Sequence, residues 1–295
     1  MADTTPAGDR IGLGIASVLV GMFAVAGMDA AAKWLATGYP VAELVFFRSL
    51  FALPPILLLV WHGGGRAALR IRWGWGHLLR AVFALSAIFC FFTALRVMPL
   101  AEATSIAFAA PLFVTALSVP VLGEHVGPRR WAAVVVGFLG VLVMTRPGSA
   151  AFQPEALLVL GAALCYACAM LVTRRLARTE TTPAITFYGT LLLLAGSAIP
   201  LPFGWRVPEA EDMVVFVLMG LFGGATMYFM TQAYRYAPAA VVAPFDYTAL
   251  IWATLFGWLI WHELPDSYVW AGAAIVIASG LYIIRREMRV GQPRQ

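Results

Sequence analysis

The chain is poor in charge, in histidine and in cysteine. Only 12% of its 295 residues are Asp, Glu, Lys or Arg, against roughly a quarter in soluble domains, so an ordinary water-soluble enzyme is excluded. The four histidines, His62, His77, His125 and His262, fall at the rims of apolar runs, and the three cysteines, Cys90, Cys165 and Cys168, fall inside them. That leaves no disulfide framework and no His–metal or Ser–His grouping. Cys165 and Cys168 share a helical face, but with no His, Asp or Glu nearby they read as small packing residues. A P-loop is missing as well, which argues against ATP-driven pumping. No gap between apolar runs is long enough for a second domain; the longest runs from His62 to His77.

Apolar length is what the sequence has instead. It is 61% hydrophobic with a mean hydropathy of +0.84. A hydrocarbon core of about 30 Å takes about 20 residues per helix. Ten runs approach that length: Ile11–Ala32, Val41–Trp61, Leu78–Leu95, Leu100–Leu122, Trp131–Thr145, Ala156–Thr173, Thr186–Pro200, Met213–Ala233, Val241–Trp261 and Val269–Ile284. The first is too long for the apolar part of a cleaved signal and is read as a retained helix. The expectation is an all-α membrane protein. With the N-terminus inside, fifteen Lys and Arg fall on inner segments, Arg66, Arg70, Arg72 and Arg80 among them, and four on outer ones. Both termini are therefore expected in the cytoplasm of a bacterial-type inner membrane. The net charge of +5 then faces lipid, not nucleic acid.

An internal repeat sets the architecture. Shifted by 139 residues, Ala94, Arg96, Pro99 and Ala101 fall on Ala233, Arg235, Pro238 and Ala240. Glu124 and Trp131 likewise fall on Glu263 and Trp270. A weaker front match, at 141, sets Lys33 on Arg174 and Phe46-Phe47 on Phe187-Tyr188. Five helices are thus repeated, and because five is odd the second copy enters the membrane from the other side. The expected organisation is a tail (1–10), a first repeat (11–145), a second (146–284) and a tail (285–295). Inverted repeats place a site near mid-depth at their junction and suit alternating access, which implies a transporter and not an enzyme.

The repeat of five, Asp29–Leu35 (Asp-Ala-Ala-Ala-Lys-Trp-Leu), Phe46–Leu50 (Phe-Phe-Arg-Ser-Leu), and Gly123-Glu124 against His262-Glu263 resemble the drug/metabolite transporter superfamily. The nearest resemblance is to its ten-helix EamA-type carriers, which include amino-acid exporters of the YddG type. The resemblance spans essentially the whole chain. It implies a small-molecule solute, a lipid bilayer as surroundings, no cofactor, and a monomer or a homodimer. It does not name the cargo, because such carriers move amino acids, S-adenosylmethionine, riboflavin, nucleosides or sugar derivatives. Export of amino acids, including aromatic and hydrophobic ones, is the reading adopted here. A larger metabolite such as S-adenosylmethionine or riboflavin is the alternative within the class, and a non-transporting sensor or assembly protein the alternative outside it.

Ionisable groups within the runs carry the site expectation, since each costs about 2.5–3.5 kcal/mol at a helix centre. Asp246 should reach mid-membrane beside Pro244, which loosens its helix, and is taken as the leading solute contact. On the repeat, Phe89 matches Tyr228 and Phe108 matches Tyr247, so these rings, with Tyr166, are expected to wall a cavity around the junction and hold an apolar body. Against this, most intramembrane rings simply face lipid or neighbouring helices. Asp29 and Arg48 are expected as a structural ion pair or gate, with Asp29–Lys33 as the other pairing of that carboxylate. Glu102 is read as a helix cap, and Glu124 and Glu263 as acceptors for N–H groups of the helices that follow them. Trp252 is expected outside the site. Gly137, Gly140, Gly220, Gly223 and Gly224 are expected to allow close packing, and Pro111 and Pro244 to give flexible points.

Overall fold

In a membrane every backbone polar group must be bonded within its own segment, so apolar runs of this length close into helices. The computed structural model describes residues 7–62, 65–123 and 126–290. Its helices are α1 (Ala7–Ala36), α2 (Val41–His62), α3 (Gly74–Leu95), α4 (Leu100–Ala107), α5 (Ala110–Leu122), α6 (Pro128–Thr145), α7 (Glu155–Leu176), α8 (Thr182–Ala198), α9 (Ala210–Tyr236), α10 (Ala239–Val242), α11 (Ala249–Trp261) and α12 (Ser267–Val290). Each of the ten apolar runs falls on helix, and most helices extend past the run. Among the described residues, nine spans are long and apolar enough to cross a membrane. The remaining crossing, 239–261, is α10, a 3-10 turn (Ala243–Thr248) and α11 in succession.

Both broken crossings break at the same repeat position. The fourth interrupts at Phe108-Ala109 between α4 and α5, and Pro111 sits in the first turn of α5. The ninth changes from 3-10 to α-helix at Tyr247-Thr248, with Pro244 in the first turn of the 3-10 segment. A proline lacks a backbone donor and fits a helix start far better than a helix interior.

The halves are interleaved. Packing pairs α1 with α9 and α3 with α7, α2 with α9 and α8 with α3, α5 with α7 and α11 with α1. Each pair becomes the next when the repeats are exchanged. Two further contacts, α2 with α8 and α6 with α12, map onto themselves, as a two-fold axis requires. Small residues permit the approach: a Cβ at Gly272 would meet Met144 and the Gly140 carbonyl, and one at Gly220 or Gly224 would meet Phe51 or Pro55. The expected glycine role therefore holds for these contacts.

The end of α1 and the start of α12 share one end of the bundle, tied by Lys33 to Glu263 and Arg146 to Asp266. Both described terminal helices therefore point to the opposite end, here the termini end. At that end Glu180, in the α7–α8 connection, accepts from the backbone N–H of Trp73 at 2.9 Å and of Arg72 at 3.1 Å and contacts His77 Nε2. Two sequence expectations change here. Lys33 pairs with Glu263 and lies over the Trp261 ring at 4.8 Å, so it is not the partner of Asp29. The helix-capping role expected of Glu263 belongs to Asp266, whose Oδ1 accepts from Val269 N at 2.8 Å. Glu124, with His125, lies outside the described residues.

Candidate functional site

The junction of the two halves lies where the two broken crossings meet. Phe108 and Tyr247, equivalent in the repeat, touch edge to face with ring centroids 5.0 Å apart. Each stands where its crossing stops being a regular α-helix. The Tyr247 hydroxyl lies against Gly280 of α12, where any larger residue would displace it, and it has no hydrogen-bond partner. One residue earlier, Asp246 is half-buried and its Oδ1 is likewise unpartnered. A carboxylate in that position is costly unless a solute or water answers it.

Around Asp246 the helices are set apart. In the first repeat α1 packs on α3 and on α4. Among the described residues the corresponding helices of the second repeat, α7 against α9 and against the 239–248 segment, make no packing of that extent. The resulting cleft has one wall on α7, where Tyr166, Met170 and Thr173 follow at helical spacing on one face. Tyr166 is 50% accessible and stands within electrostatic reach of both Asp246 and Arg80. On the opposite wall, Tyr234 of α9 is within reach of Asp246 and Tyr166. Arg80 Nε donates to Thr173 Oγ1 at 3.0 Å. Arg80, Thr173 and Tyr234 all belong to helix turns at the termini end, so the cleft opens there.

The expected site residues therefore divide. Asp246, Tyr247, Phe108 and Tyr166 come together at the junction and its cleft. Phe89 does not join them: it lines a crevice of about 800 Å³ at the far end with Tyr39, Arg96 and Arg206, because α3 carries it toward the end where α1 and α2 connect. Tyr228 packs on its neighbour Phe229 at 5.3 Å. Asp29 is 7% accessible and within electrostatic reach of Arg48, whose Nε donates to Met28 Sδ at 3.0 Å. Glu102 stands in the first turn of α4. Trp252 packs against Phe23 at 5.2 Å. Sequence reasoning counted Arg80 with the loop charges, yet it lies inside α3, and it passed over Tyr234. The front repeat offset could have flagged Arg80's partner, since it places Gly189 opposite Arg48, and Gly189 is the residue against which Arg80 rests. Among the described residues no group of three His, Cys, Asp or Glu is placed to hold a metal.

Two interleaved five-helix copies with a carboxylate and phenols at their junction define a multi-pass membrane transporter of small metabolites. The chain belongs to the EamA-like transporter family, within the drug/metabolite transporter superfamily: the family pattern matches residues 12–146 and again 153–285. It is 34% identical over 269 residues to a riboflavin transporter of Rhizobium johnstonii, covering 89% of this chain and 87% of that one. It is 28% identical to an S-adenosylmethionine uptake transporter of Rickettsia prowazekii, with 88% of each chain covered. A pseudopaline exporter of Pseudomonas aeruginosa is also 28% identical, over 94% of this chain and 98% of that one. A solved crystal structure, 21% identical, superposes with a TM-score of 0.65 over 94% of this chain and 99% of that one, and shares the fold.

Proposed function

We propose that the protein is a secondary carrier of a bacterial inner membrane that moves a flavin-type metabolite by alternating access, with both termini in the cytoplasm. The observation that carries this reading is the unpartnered Oδ1 of Asp246 beside Tyr166, Tyr234 and Tyr247. Phenol rings offer flat apolar faces for a fused ring system and hydroxyls that both donate and accept. Asp246 accepts from the hydroxyls or ring N–H of the solute. The excess of basic residues at the termini end supports the orientation, so the open cleft faces the cytoplasm. The name of the Rhizobium johnstonii relative supports the flavin class.

A cationic solute of the S-adenosylmethionine type is the second reading, favoured by the same lone carboxylate and by another relative's name. Amino-acid export, the expectation from sequence, uses less of this wall, since one side chain does not span three phenols. None of the relatives described above bears a name that points to it.

Labelled riboflavin in proteoliposomes is the test. Wild type is expected to exchange it, with S-adenosylmethionine and aromatic amino acids competing weakly. Asp246→Asn is expected to lower exchange about tenfold or more, as for a charge-assisted hydrogen bond of about 1.5–3 kcal/mol. Stronger competition by S-adenosylmethionine would move the assignment to the second reading. Riboflavin binding without flux would make the protein a sensor.

A further inference from the structure

The residues of the cleft wall have counterparts in the far-end half of the bundle, and there they are covered. Met170, 40% accessible on the cleft wall, corresponds to Asp29, which is 7% accessible. Tyr234, at 46%, corresponds to the fully buried Leu95, Thr173 to the fully buried Ala32, and Arg80 to the fully buried Met219. Surfaces related by the repeat are thus accessible on one side and covered on the other. Asp29, Ala32 and Leu95 lie on α1 and α3, and among the described residues the α1–α3 and α1–α4 packing has no counterpart of that extent around the cleft. Other contacts are made at both ends at once: α1 on α11 and α7 on α5, accompanied by Lys33 to Glu263 and Arg175 to the Val121 carbonyl. These have no reason to alternate.

Of these covered positions only Asp29 is charged, and Arg48 is its charged neighbour. Asp29 is more than nine-tenths buried, and its electrostatic partner Arg48 extends along α9, close to Gly223. The repeat shows an exchange of roles here. In the α2–α9 interface the arginine comes from α2 and the glycines from α9; in the equivalent α8–α3 interface the glycine, Gly189, comes from α8 and the arginine, Arg80, from α3. Each half therefore keeps one guanidinium beside its cleft, supplied by opposite helices.

We propose that Asp29 and Arg48 form a second solute station, uncovered when the far end opens. Together they offer an acceptor and a planar fork of donors, which fits a group that presents N–H and carbonyl side by side. An imide edge, such as that of a flavin ring, is of this kind, and that choice of ligand rests on the function proposed above. A carboxylate next to an ammonium has the same chemistry and is distinguished by competition at this station.

The test has two arms. In a background with Cys90, Cys165 and Cys168 replaced by Ala, single cysteines at Ala32→Cys and Thr173→Cys are probed with a membrane-impermeant thiol reagent in vesicles of defined orientation. Thr173→Cys is expected to react from the termini side only, and Ala32→Cys from the far side only. An Ala32→Cys that stays unreactive from the far side, in vesicles where Thr173→Cys reacts from the termini side, overturns the proposal. This arm needs no known solute, so it stands even if riboflavin is not carried. In the second arm, Arg48→Lys and Asp29→Asn are expected to raise half-saturation by riboflavin offered from the far side about tenfold, while that from the termini side changes less than twofold. Equal changes on both sides, or none, would show that the pair only fastens α1 to α2, and would overturn the station while leaving the flavin assignment intact.

Discussion

Glu180 shows how one side chain outside the membrane-spanning helices can hold three segments. Its oxygens take the N–H groups of Arg72 and Trp73 and the ring of His77, joining the α2–α3 connection and the start of α3 to the α7–α8 connection. Burial opposes its charge, but those donors outweigh burial and hold its pKa below the ordinary glutamate value of 4.5. A lowered folded-state pKa stabilises the fold fully above 4.5, and that contribution is lost as pH falls through the folded value. Removing the carboxylate leaves the buried His77 ring and two part-buried backbone N–H groups unmet, so Glu180→Ala is expected to cost about 1–3 kcal/mol. Thermal unfolding in detergent should show a gap to wild type that is constant from pH 7 to pH 5 and narrows below 4.5. A gap of the same size at every pH would assign the effect to lost packing alone. None of this was legible in the sequence, where Glu180 is one acid near a basic stretch. Asp246 stood out in the sequence because a lone carboxylate in an apolar run is costly, whether it meets a solute or fastens two helices. Arg80 did not, since it lies within the first turn of the Leu78–Leu95 run and counts with the flanking charges until α3 is seen to begin at Gly74.

At the scale of helices, close approach and irregularity have separate sources. The α6–α12 contact depends on Gly140 and Gly272, each set against the other's carbonyl. Gly272→Val is expected to destabilise by several kcal/mol or to prevent folding, because the obstacle includes backbone. Gly161, with nothing within 4 Å of its would-be Cβ, should accept Ala and gain about 0.4–1 kcal/mol. Parallel melting curves of the two variants check this, and comparable losses in both would contradict it. The ten crossings could be read in advance because hydropathy and the bilayer's width set them. The ends could not, since helices continue into polar flanks until a cap such as Thr181, which accepts from Ala184 N at 3.2 Å, stops them. The repeat also made the meeting of Phe108 and Tyr247 foreseeable, since positions on a two-fold axis must adjoin. Phe89 and Tyr228 match equally well in sequence, but they lie away from the axis, and alignment carries no information on that distance.

For the molecule as a whole, what matters is that helices lie mainly against those of the other copy. α1 rests on α9, α3 on α7 and α2 on both α8 and α9, so each copy lends the other most of its interior. Neither half alone would have anything to close upon, and a gene cut in the 147–152 connection should yield two pieces that are degraded singly. Produced together they should find one another in the bilayer and restore solute exchange, which co-purification through a tag on one piece would detect. An accumulating, stable single piece would mean that each copy is its own folding unit. Such mutual dependence also restricts inheritance: a substitution in one copy is judged by its fit to the other, so the two sequences are expected to drift as partners, retaining their complementarity longer than their likeness.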